Sequence, residues 1–246
     1  MQYIDINCDM GEGIGNEFLL MPFISSANIA CGFHAGDEAE MKRVVALCLQ
    51  YNVAIGAHPS FNDKQNFGRT EMDVAASEIR QLVKEQLQTL NNIVRASGGK
   101  LHHVKPHGAL YNMAAKDVLI AKAIAGTVKD FDSSLVYYGL SGSVMIEEAL
   151  KAGLSTANEV FADRTYQPDG SLTPRSERSA LITNTEEAIQ QVLQLIQEKR
   201  VTANNGEKII LQADTICIHG DGMHAVKFAE KINHRLAKAG IQIQKI

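Results

Sequence analysis

The sequence predicts an α/β protein whose strands form a distorted seven-stranded parallel β/α barrel. Short apolar runs alternate with amphipathic helical segments, the alternation continues along all 246 residues, and seven of the runs have the length of buried strands. This pattern is typical of a parallel sheet with helical crossovers, and one barrel domain commonly has about 250 residues. We therefore expect a single domain over residues 1–246, with an open doubly wound sheet as the alternative.

The predicted elements follow one another with little interruption. Asp37 and Glu40 have the spacing of a capping box, which places the start of a helix directly after an apolar run. Strands are predicted at residues 3–8, 27–33, 53–57, 101–104, 135–138, 156–161 and 216–218, with a short closing strand within 241–246. Helices are predicted at residues 38–50, 74–96, 116–129, 142–151, 186–198 and 223–239.

The composition argues against several classes of function. A hydrophobic fraction of 45% with 21% charged residues is typical of a globular protein with a substantial core, and a net charge of -4 does not favour nucleic acid. No apolar run reaches the ~20 residues of a membrane span. The first residues lack the basic start and apolar core of a secretory signal, so we expect a cytoplasmic protein. The four cysteines form no C-x-x-C pair, and we expect them to be reduced and buried.

Four histidines stand at the ends of predicted strands. His34, His58, His107 and His219 each follow an apolar run and lie close to Gly or Pro. Because the carboxyl ends of parallel strands meet at one rim of a barrel, we expect these imidazoles to surround one opening. Neutral imidazoles bind Zn²⁺ or another transition metal, or act as acid and base. Taken alone, each is also explained as a core or capping histidine.

Charged side chains accompany the histidines. Asp9 and Glu12 follow the first predicted strand, where carboxylates can ligate a metal, act as a general base or bind a cation. Such residues beside Gly often bond only local amides. Lys105 ends an apolar strand, so we expect it to meet a substrate anion or an oxyanion; the alternative is a salt bridge to Glu12 or Glu159. The predicted catalytic residues are Asp9, Glu12, His34, His58, Lys105 and His107.

A long polar insertion, residues 162–179, follows the sixth predicted strand. Long loops at this rim commonly cover an active site. The forked guanidinium groups of Arg164 and Arg175 suit a carboxylate or a phosphate, and Arg69 is interpreted in the same way. The alternative is a solvated, charged loop. The residues predicted to bind substrate are Arg69, Glu159, Asp163, Arg164, Arg175, His219 and Asp221.

The common nucleotide-binding motifs are absent from the sequence. The glycines at positions 11, 13 and 15 do not match G-x-G-x-x-G, and G-x-x-x-x-G-K-[ST] does not occur. The metal-binding pattern H-E-x-x-H is absent too. The spacing of the histidines is compatible with a divalent metal but does not by itself indicate one.

Long motifs in a fixed order give the chain a family resemblance. DINCDMGEG, SSANIACGFHAGD, AIGAHPSF, FGR, HVKPHGALYN, EVFADR and CIHGD extend over essentially the whole length. With these motifs the chain resembles the LamB/YcsF family, whose bacterial members are the A subunit of the ATP-dependent 5-oxoprolinase. One mild departure is the segment His58-Pro59-Ser60-Phe61, where the family often has His-Pro-Gly-Tyr.

The resemblance implies a fold, a reaction and partners. The fold is a seven-stranded barrel similar to the glycoside hydrolase and polysaccharide deacetylase group. The reaction converts 5-oxo-L-proline, ATP and water to L-glutamate, ADP and phosphate, and it requires subunits B and C. Two alternatives stay open. One is a metal-dependent amide hydrolase or deacetylase that uses Asp9 or Glu12 with the strand-end histidines as ligands and needs no ATP; the other is a barrel without catalytic function in a complex.

Overall fold

Seven parallel strands close into a barrel, as predicted. The computed structural model describes residues 2–220 and 225–246. The strands are β1 (Gln2–Met10), β2 (Ser26–Ala30), β3 (Ala54–His58), β4 (Leu101–Val104), β5 (Val136–Leu140), β6 (Ser155–Phe161), β7 (Arg200–Thr202), β8 (Lys208–Ile210), β9 (Thr215–Ile218) and β10 (Ile241–Ile243). Strands β1 to β6 pair in sequence, and β9 pairs with both β6 and β1, which closes the ring and excludes the open sheet. β10 pairs with β1 outside the ring, and β7 and β8 form a separate hairpin.

Helices connect successive strands of the ring. They are α1 (Glu17–Leu20), α2 (Glu38–Tyr51), α3 (Ala76–Ala96), α4 (Gly108–Ala114), α5 (Val118–Phe131), α6 (Val144–Lys151), α7 (Thr185–Glu198) and α8 (Ala225–Lys238), with 3-10 turns at Met21–Phe23 and Lys64–Asn66. Asp37 caps α2 by accepting a hydrogen bond from the backbone N–H of Glu40 at 2.9 Å. The Glu40 carboxylate accepts from the backbone N–H of Gly13 at 3.2 Å, so it tethers the glycine-rich loop after β1 to α2.

The interior of the barrel is polar. Asp5 on β1 accepts hydrogen bonds from Ser26 on β2 at 2.7 Å and from Thr215 on β9 at 2.5 Å. Tyr138 donates to the same carboxyl at 3.0 Å from β5, across the ring. Burial raises the pKa of Asp5 against the opposing effect of these bonds. Asp5 therefore lies inside the barrel, and the acidic residues at the exit of β1 are Asp9 and Glu12.

Some boundaries differ from the prediction. β2 ends at Ala30 rather than at residue 33, which leaves His34 in the loop beyond the strand. α5 begins at Val118 because the side chain of Asp117 caps its first turn. α4 and the β7–β8 hairpin were not predicted, since elements of seven and three residues are too short to show a period. The predicted start of the last helix, residue 223, lies outside the described residues.

All four cysteines are buried and free, and burial raises the thiol pKa of Cys31 and of Cys48 to about 12. Within residues 2–220 and 225–246, every helix is too short or too polar to cross a bilayer.

Candidate functional site

A cavity of about 440 Å³ opens at the carboxyl ends of the strands, the rim at which β/α barrels bind ligands. The predicted site residues that line it are Asp9, Glu12, His58, Arg69, Lys105, His107, Arg164, Arg175 and His219. Three others contact lining residues: His34 contacts Glu12, Glu159 contacts Lys105, and Asp163 contacts His219. Asp221 lies outside the described residues.

His34 is held in one tautomer by the loop after β3. Its Nδ1 lies 3.0 Å from Oγ of Ser60, and this hydroxyl donates its only proton to the carbonyl of Phe61 at 2.7 Å. Ser60 must therefore accept from His34, so the neutral ring carries its proton on Nδ1. The lone pair of Nε2 is then directed at Oε1 of Glu12, 3.2 Å away.

His58 and His107 are oriented by backbone carbonyls in the same manner. Nδ1 of His58 donates to the carbonyl of Lys105 at 2.7 Å, and Nε2 of His107 donates to the carbonyl of Phe67 at 2.9 Å. In the neutral rings the other two nitrogens, Nε2 of His58 and Nδ1 of His107, are acceptors, yet they lie 2.9 Å apart. Two acceptors at this distance repel each other unless a proton or a cation lies between them.

The FGR turn packs directly on these rings. Phe67 and Gly68 both have positive φ, 57° and 64°. A Cβ at position 68 would lie 2.9 Å from Cβ of His34 and 3.1 Å from Cδ2 of His107. Only glycine fits this close approach, so the turn fixes both the rings and the Phe67 carbonyl that orients His107.

Glu12 completes a set of four converging ligand atoms. Its carboxylate lies 3.5 Å from Nδ1 of His107 and 4.0 Å from Nε2 of His58. We call Glu12, His34, His58 and His107 the His/Glu cluster, and their ligand atoms all lie within 4.8 Å of one another. Three imidazoles whose outer N–H groups are already bonded, with one carboxylate, form a suitable donor set for Zn²⁺ or a similar transition metal.

Burial keeps two imidazoles of the His/Glu cluster, those of His34 and His107, uncharged. It lowers the pKa of His34 to about 2, and repulsion from His58 acts in the same direction. It also lowers the pKa of His107 well below the usual range, again with a contribution from His58. The neutral imidazole is the form that ligates a metal, so His34 and His107 offer neutral donors beside the Glu12 carboxylate.

Lys105 lies between two carboxylates inside the rim. Its Nζ is 2.9 Å from Oδ1 of Asp9 and 2.8 Å from Oε1 of Glu159. Oδ1 of Asn7 and Sγ of Cys217 each lie 3.2 Å from the same nitrogen. The salt bridge to Glu159 was one of the alternatives that the sequence left open. The carboxylate from β1 in this ion pair is that of Asp9, whereas the carboxylate of Glu12 faces the imidazoles.

The ion pair keeps its charges despite burial. For Lys105, burial opposes the charge, but Asp9 and the other anionic neighbours raise the pKa well above its usual value. For Asp9, burial also opposes the charge, but His58 and Lys105 hold the pKa well below its usual value. Oδ2 of Asp9 lies 3.3 Å from Nε2 of His58. The ion pair and the His/Glu cluster are therefore one continuous electrostatic unit.

A further histidine site lies on the other side of the rim. Nδ1 of His219 donates to the two oxygens of Asp163 at 2.7 and 3.0 Å, and Nη2 of Arg175 lies 2.9 Å from Nε2 of His219. We call these three residues the Asp/His/Arg group. Burial opposes ionisation of Asp163, but its interaction with His219 lowers its pKa. The His219 ring stacks on Phe161 with centroids 5.9 Å apart, and Nζ of Lys105 lies 5.5 Å from the centroid of the same ring.

The other two predicted arginines have different surroundings. Arg164 is buried, and its guanidinium donates to the carbonyls of Ala180 at 3.2 Å and Thr173 at 2.7 Å, so it ties the insertion together. Burial lowers its pKa to about 10, with a contribution from Arg175. Arg69 lies over the ring of Phe67, 4.9 Å from its centroid. Substrate binding by Arg69 and Arg164 stays a prediction.

Several residues that the sequence analysis did not single out hold the site in place. Besides Ser60, Gln86 on α3 accepts from the backbone N–H of Ser60 at 3.0 Å and donates to its carbonyl at 2.8 Å. Asn28 on β2 donates to Oδ1 of Asn7 at 2.7 Å and of Asp9 at 2.8 Å. The available signal was a polar residue at a core position of a strand or helix, because buried polar groups require partners.

Comparisons with known proteins cover the whole chain. The A subunit of 5-oxoprolinase from Tolumonas auensis is 53% identical over 249 residues, which cover 99% of each chain. The crystal structure of the lactam utilization protein from Thermus thermophilus matches with a TM-score of 0.93 and 40% identity, covering 100% of both chains. A family 4 carbohydrate esterase from Streptomyces lividans shares the fold alone, with a TM-score of 0.52 and 12% identity over 100% of this chain and 93% of that one.

Residues 4–246 match the sequence model of the LamB/YcsF family. The match extends from β1 to the last residue and includes every strand of the barrel, both histidine sites and the insertion between them. This protein therefore belongs to the LamB/YcsF family.

Proposed function

We propose that this protein is the A subunit of a 5-oxoprolinase and takes part in the ATP-dependent opening of 5-oxo-L-proline to L-glutamate, together with subunits B and C. The observation that carries the proposal is the 53% identity over 99% of the chain to a protein named as that subunit of 5-oxoprolinase. The reaction belongs in the cytoplasm, where ATP is available and free cysteines stay reduced.

The chemistry explains why ATP is needed. A five-membered lactam is an unstrained amide, and water opens it very slowly at neutral pH. Transfer of a phosphoryl group from ATP to the carbonyl oxygen makes the carbonyl carbon more electrophilic. The enzyme must then bind the substrate carboxylate, stabilise negative charge as water adds, and exclude bulk water.

The rim offers groups for each of these tasks. The forked guanidinium groups of Arg69 and Arg175 suit the carboxylate of 5-oxoproline. Lys105 is fixed by Asp9 and Glu159, so it supplies a preorganised positive charge toward the developing oxyanion. Residues 171–176 of the insertion line the cavity, and we expect them to limit the entry of water.

The His/Glu cluster is the place for a divalent metal. A transition metal bound there would supply a Lewis acid that polarises the lactam carbonyl. The chain's own contribution is orientation, because Ser60 and the carbonyls of Lys105 and Phe67 hold the three rings with their free nitrogens inward. Beside the cluster, Asp9 and Lys105 contribute one negative and one positive charge.

The test is a glutamate-release assay with 5-oxoproline and ATP. We expect release from the complete complex of the three subunits and none from this chain alone, because its sequence has no phosphate-cradling motif. The matched variants in the complex are His34→Gln, which removes a cluster ligand, and His234→Gln, which changes an exposed histidine on α8. No release from the complete complex would overturn the proposal, and robust release from the single chain would remove the need for partners.

A second candidate is a metal-dependent amide hydrolase that works without ATP, and the four-atom donor set of the His/Glu cluster favours it. The same assay separates the two functions when ATP is omitted and a chelator is added. Hydrolysis that is independent of ATP and lost to the chelator supports the second candidate. A barrel without catalytic function would instead keep full complex activity after His34→Gln and after Lys105→Ala.

A further inference from the structure

The Asp/His/Arg group fixes the protonation of His219. An arginine guanidinium has five N–H donors and no acceptor. Its approach to 2.9 Å from Nε2 of His219 therefore requires that this nitrogen carry a lone pair. The other ring nitrogen donates to Asp163 at 2.7 Å. His219 is thus neutral, with its proton on Nδ1 and its basic nitrogen occupied by Arg175.

The pair of Asp163 and His219 has the arrangement of the carboxylate and the histidine in a catalytic triad. A carboxylate that accepts from Nδ1 orients a histidine so that Nε2 can take a proton from water or a hydroxyl group. Here His219 lines the cavity that Lys105 and three members of the His/Glu cluster, Glu12, His58 and His107, also line. The group that blocks this nitrogen is the side chain of Arg175, from an exposed part of the insertion.

We propose that His219 is a general base of this site and that Arg175 is a latch, which leaves Nε2 when it binds the carboxylate of the lactam substrate. The proposal rests on the function proposed above, since it takes 5-oxoproline as the ligand that opens the latch. In this proposal, Arg175 couples recognition of the substrate carboxylate to the release of Nε2 of His219.

The energetics favour the exchange of partners. A guanidinium forms two parallel, charge-assisted bonds with a carboxylate, but only one bond with a neutral imidazole nitrogen. Arg164 anchors the insertion at Thr173 and Ala180, and residues 174–179 between these anchors are exposed. The anchored ends keep Arg175 near the cavity, while the exposed segment allows its side chain to change partners.

The proton moves in two transfers. Nε2 of His219 takes one proton from water while the oxygen of that water bonds to the activated carbonyl carbon. As the C–N bond of the ring breaks, the same proton passes to the ring nitrogen and the C=O bond of an acyl phosphate forms, so Nε2 is ready to receive Arg175 again. A second water then displaces phosphate from this acyl phosphate, which leaves L-glutamate and inorganic phosphate. Asp163 stabilises the imidazolium that exists between the two transfers.

The latch is tested on the purified chain by its reactivity toward diethyl pyrocarbonate, which modifies imidazole nitrogens that carry a free lone pair. Modification of His219 is followed by peptide mass spectrometry in the wild type and in Arg175→Gln. Loss of a charge-assisted hydrogen bond should raise the rate at His219 by about tenfold. The exposed His234 serves as the internal reference, and Arg178→Gln, an exposed arginine of the same insertion, should leave both rates unchanged. Equal rates at His219 in the wild type and Arg175→Gln would overturn the latch.

The coupling is tested in the complete complex with two lactams, 5-oxoproline and 2-pyrrolidone, which lacks the carboxylate. Arg175→Gln should lower turnover of 5-oxoproline and raise turnover of 2-pyrrolidone, because the base is free in every molecule. His219→Gln should lower both. If Arg175→Gln lowers turnover of 5-oxoproline and leaves 2-pyrrolidone unchanged, Arg175 only binds the carboxylate and the latch is wrong. A complex that opens neither lactam contradicts the proposed function, and the rate at His219 in the isolated chain still decides the latch.

Discussion

The two sides of the rim hold their histidines in different ways. In the His/Glu cluster, the outer nitrogens are bonded to the hydroxyl of Ser60 and to backbone carbonyls, and these partners belong to the tightly packed loops after β3 and β4. In the Asp/His/Arg group, both nitrogens of His219 are bonded to side chains, Asp163 and Arg175. The first arrangement depends on two backbone carbonyls and one buried hydroxyl, whereas the second changes with one rotamer of an exposed arginine.

This difference suits two different tasks. A rigid set of converging lone pairs binds an ion at one defined position, because the ligand geometry is set before the ion arrives. A histidine with exchangeable partners suits proton transfer, because its charge must change during each turnover. Lys105 lies between the two sides, in contact with Asp9 next to the cluster and with Glu159 on β6.

The largest effect is expected from Lys105→Met, which removes the charge that both sides share. Asp9 and Glu159 would be left buried without their cation, and breaking a buried ion pair costs about 3–5 kcal/mol of the free energy of unfolding. Turnover in the complex should fall by about 100-fold or more, as for loss of an oxyanion donor. Urea unfolding and glutamate release measure the two effects.

A double variant separates these contributions. Adding Glu159→Gln to Lys105→Met removes one of the two unpaired charges, so part of the lost stability should return while turnover stays low. Wild-type stability of Lys105→Met alone would show that Asp9 and Glu159 are stabilised by other groups.

The next largest effect is expected from His107→Gln, which tests the His/Glu cluster. Gln keeps a similar volume but loses the inward lone pair of Nδ1, so turnover should fall by about 100-fold. Zinc content after dialysis against Zn²⁺, measured by elemental analysis, should fall in parallel. His234→Gln is the matched control. Unchanged zinc content with unchanged turnover would mean that His107 serves only as packing between His34 and Phe67.

Ser60→Ala tests orientation without removing a ligand. Without the Ser60 hydroxyl, the Nδ1–H of His34 loses its acceptor and the ring can turn. Loss of such an outer partner typically costs about 10–100-fold in metal affinity or activity. Zn²⁺ affinity is measured by competition with a chelating dye, and Ser77→Ala, an exposed serine on α3, is the control. Equal affinities for the Ser60 and Ser77 variants would contradict the role of the hydroxyl.

The sequence was sufficient for the barrel and for much of the rim. Each strand is an apolar run, so its ending could be located and the strand-end histidines brought to one rim. The alternation of strands and helices indicated a parallel sheet with helical crossovers, but its closure is shown by the pairing of β9 with both β6 and β1. The sequence could not show which carboxylates meet Lys105, because side chains cross the barrel according to its strand tilt and stagger. Asp9 forms the ion pair with Lys105, while Glu12, which follows the same strand, approaches His34.

The insertion was the least predictable part. Its polar composition indicated a loop but gave no pairing between positions, so the contact of Arg175 with His219 and the ties of Arg164 to Thr173 and Ala180 could be found only in the structure. The partner serine and glutamine of the His/Glu cluster were missed for a related reason: their role depends on which ring they face, and no local pattern records that.

The smallest effect is expected from Asp163→Asn, a loss of stability that tests the Asp/His/Arg group. The pKa of Asp163 is lower in the folded state than its unfolded value of about 3.9. A lowered pKa contributes stability above the unfolded value, and this contribution is lost as the pH falls through the folded pKa. Asp163→Asn should therefore reduce the free energy of unfolding by about 1–2 kcal/mol at pH 7. The difference from the wild type should shrink as the pH falls below about 4. Urea unfolding of both proteins at pH 7, 5 and 3 measures this. A difference that stays constant with pH would assign the effect to packing and would leave the charge of Asp163 without a role in holding His219.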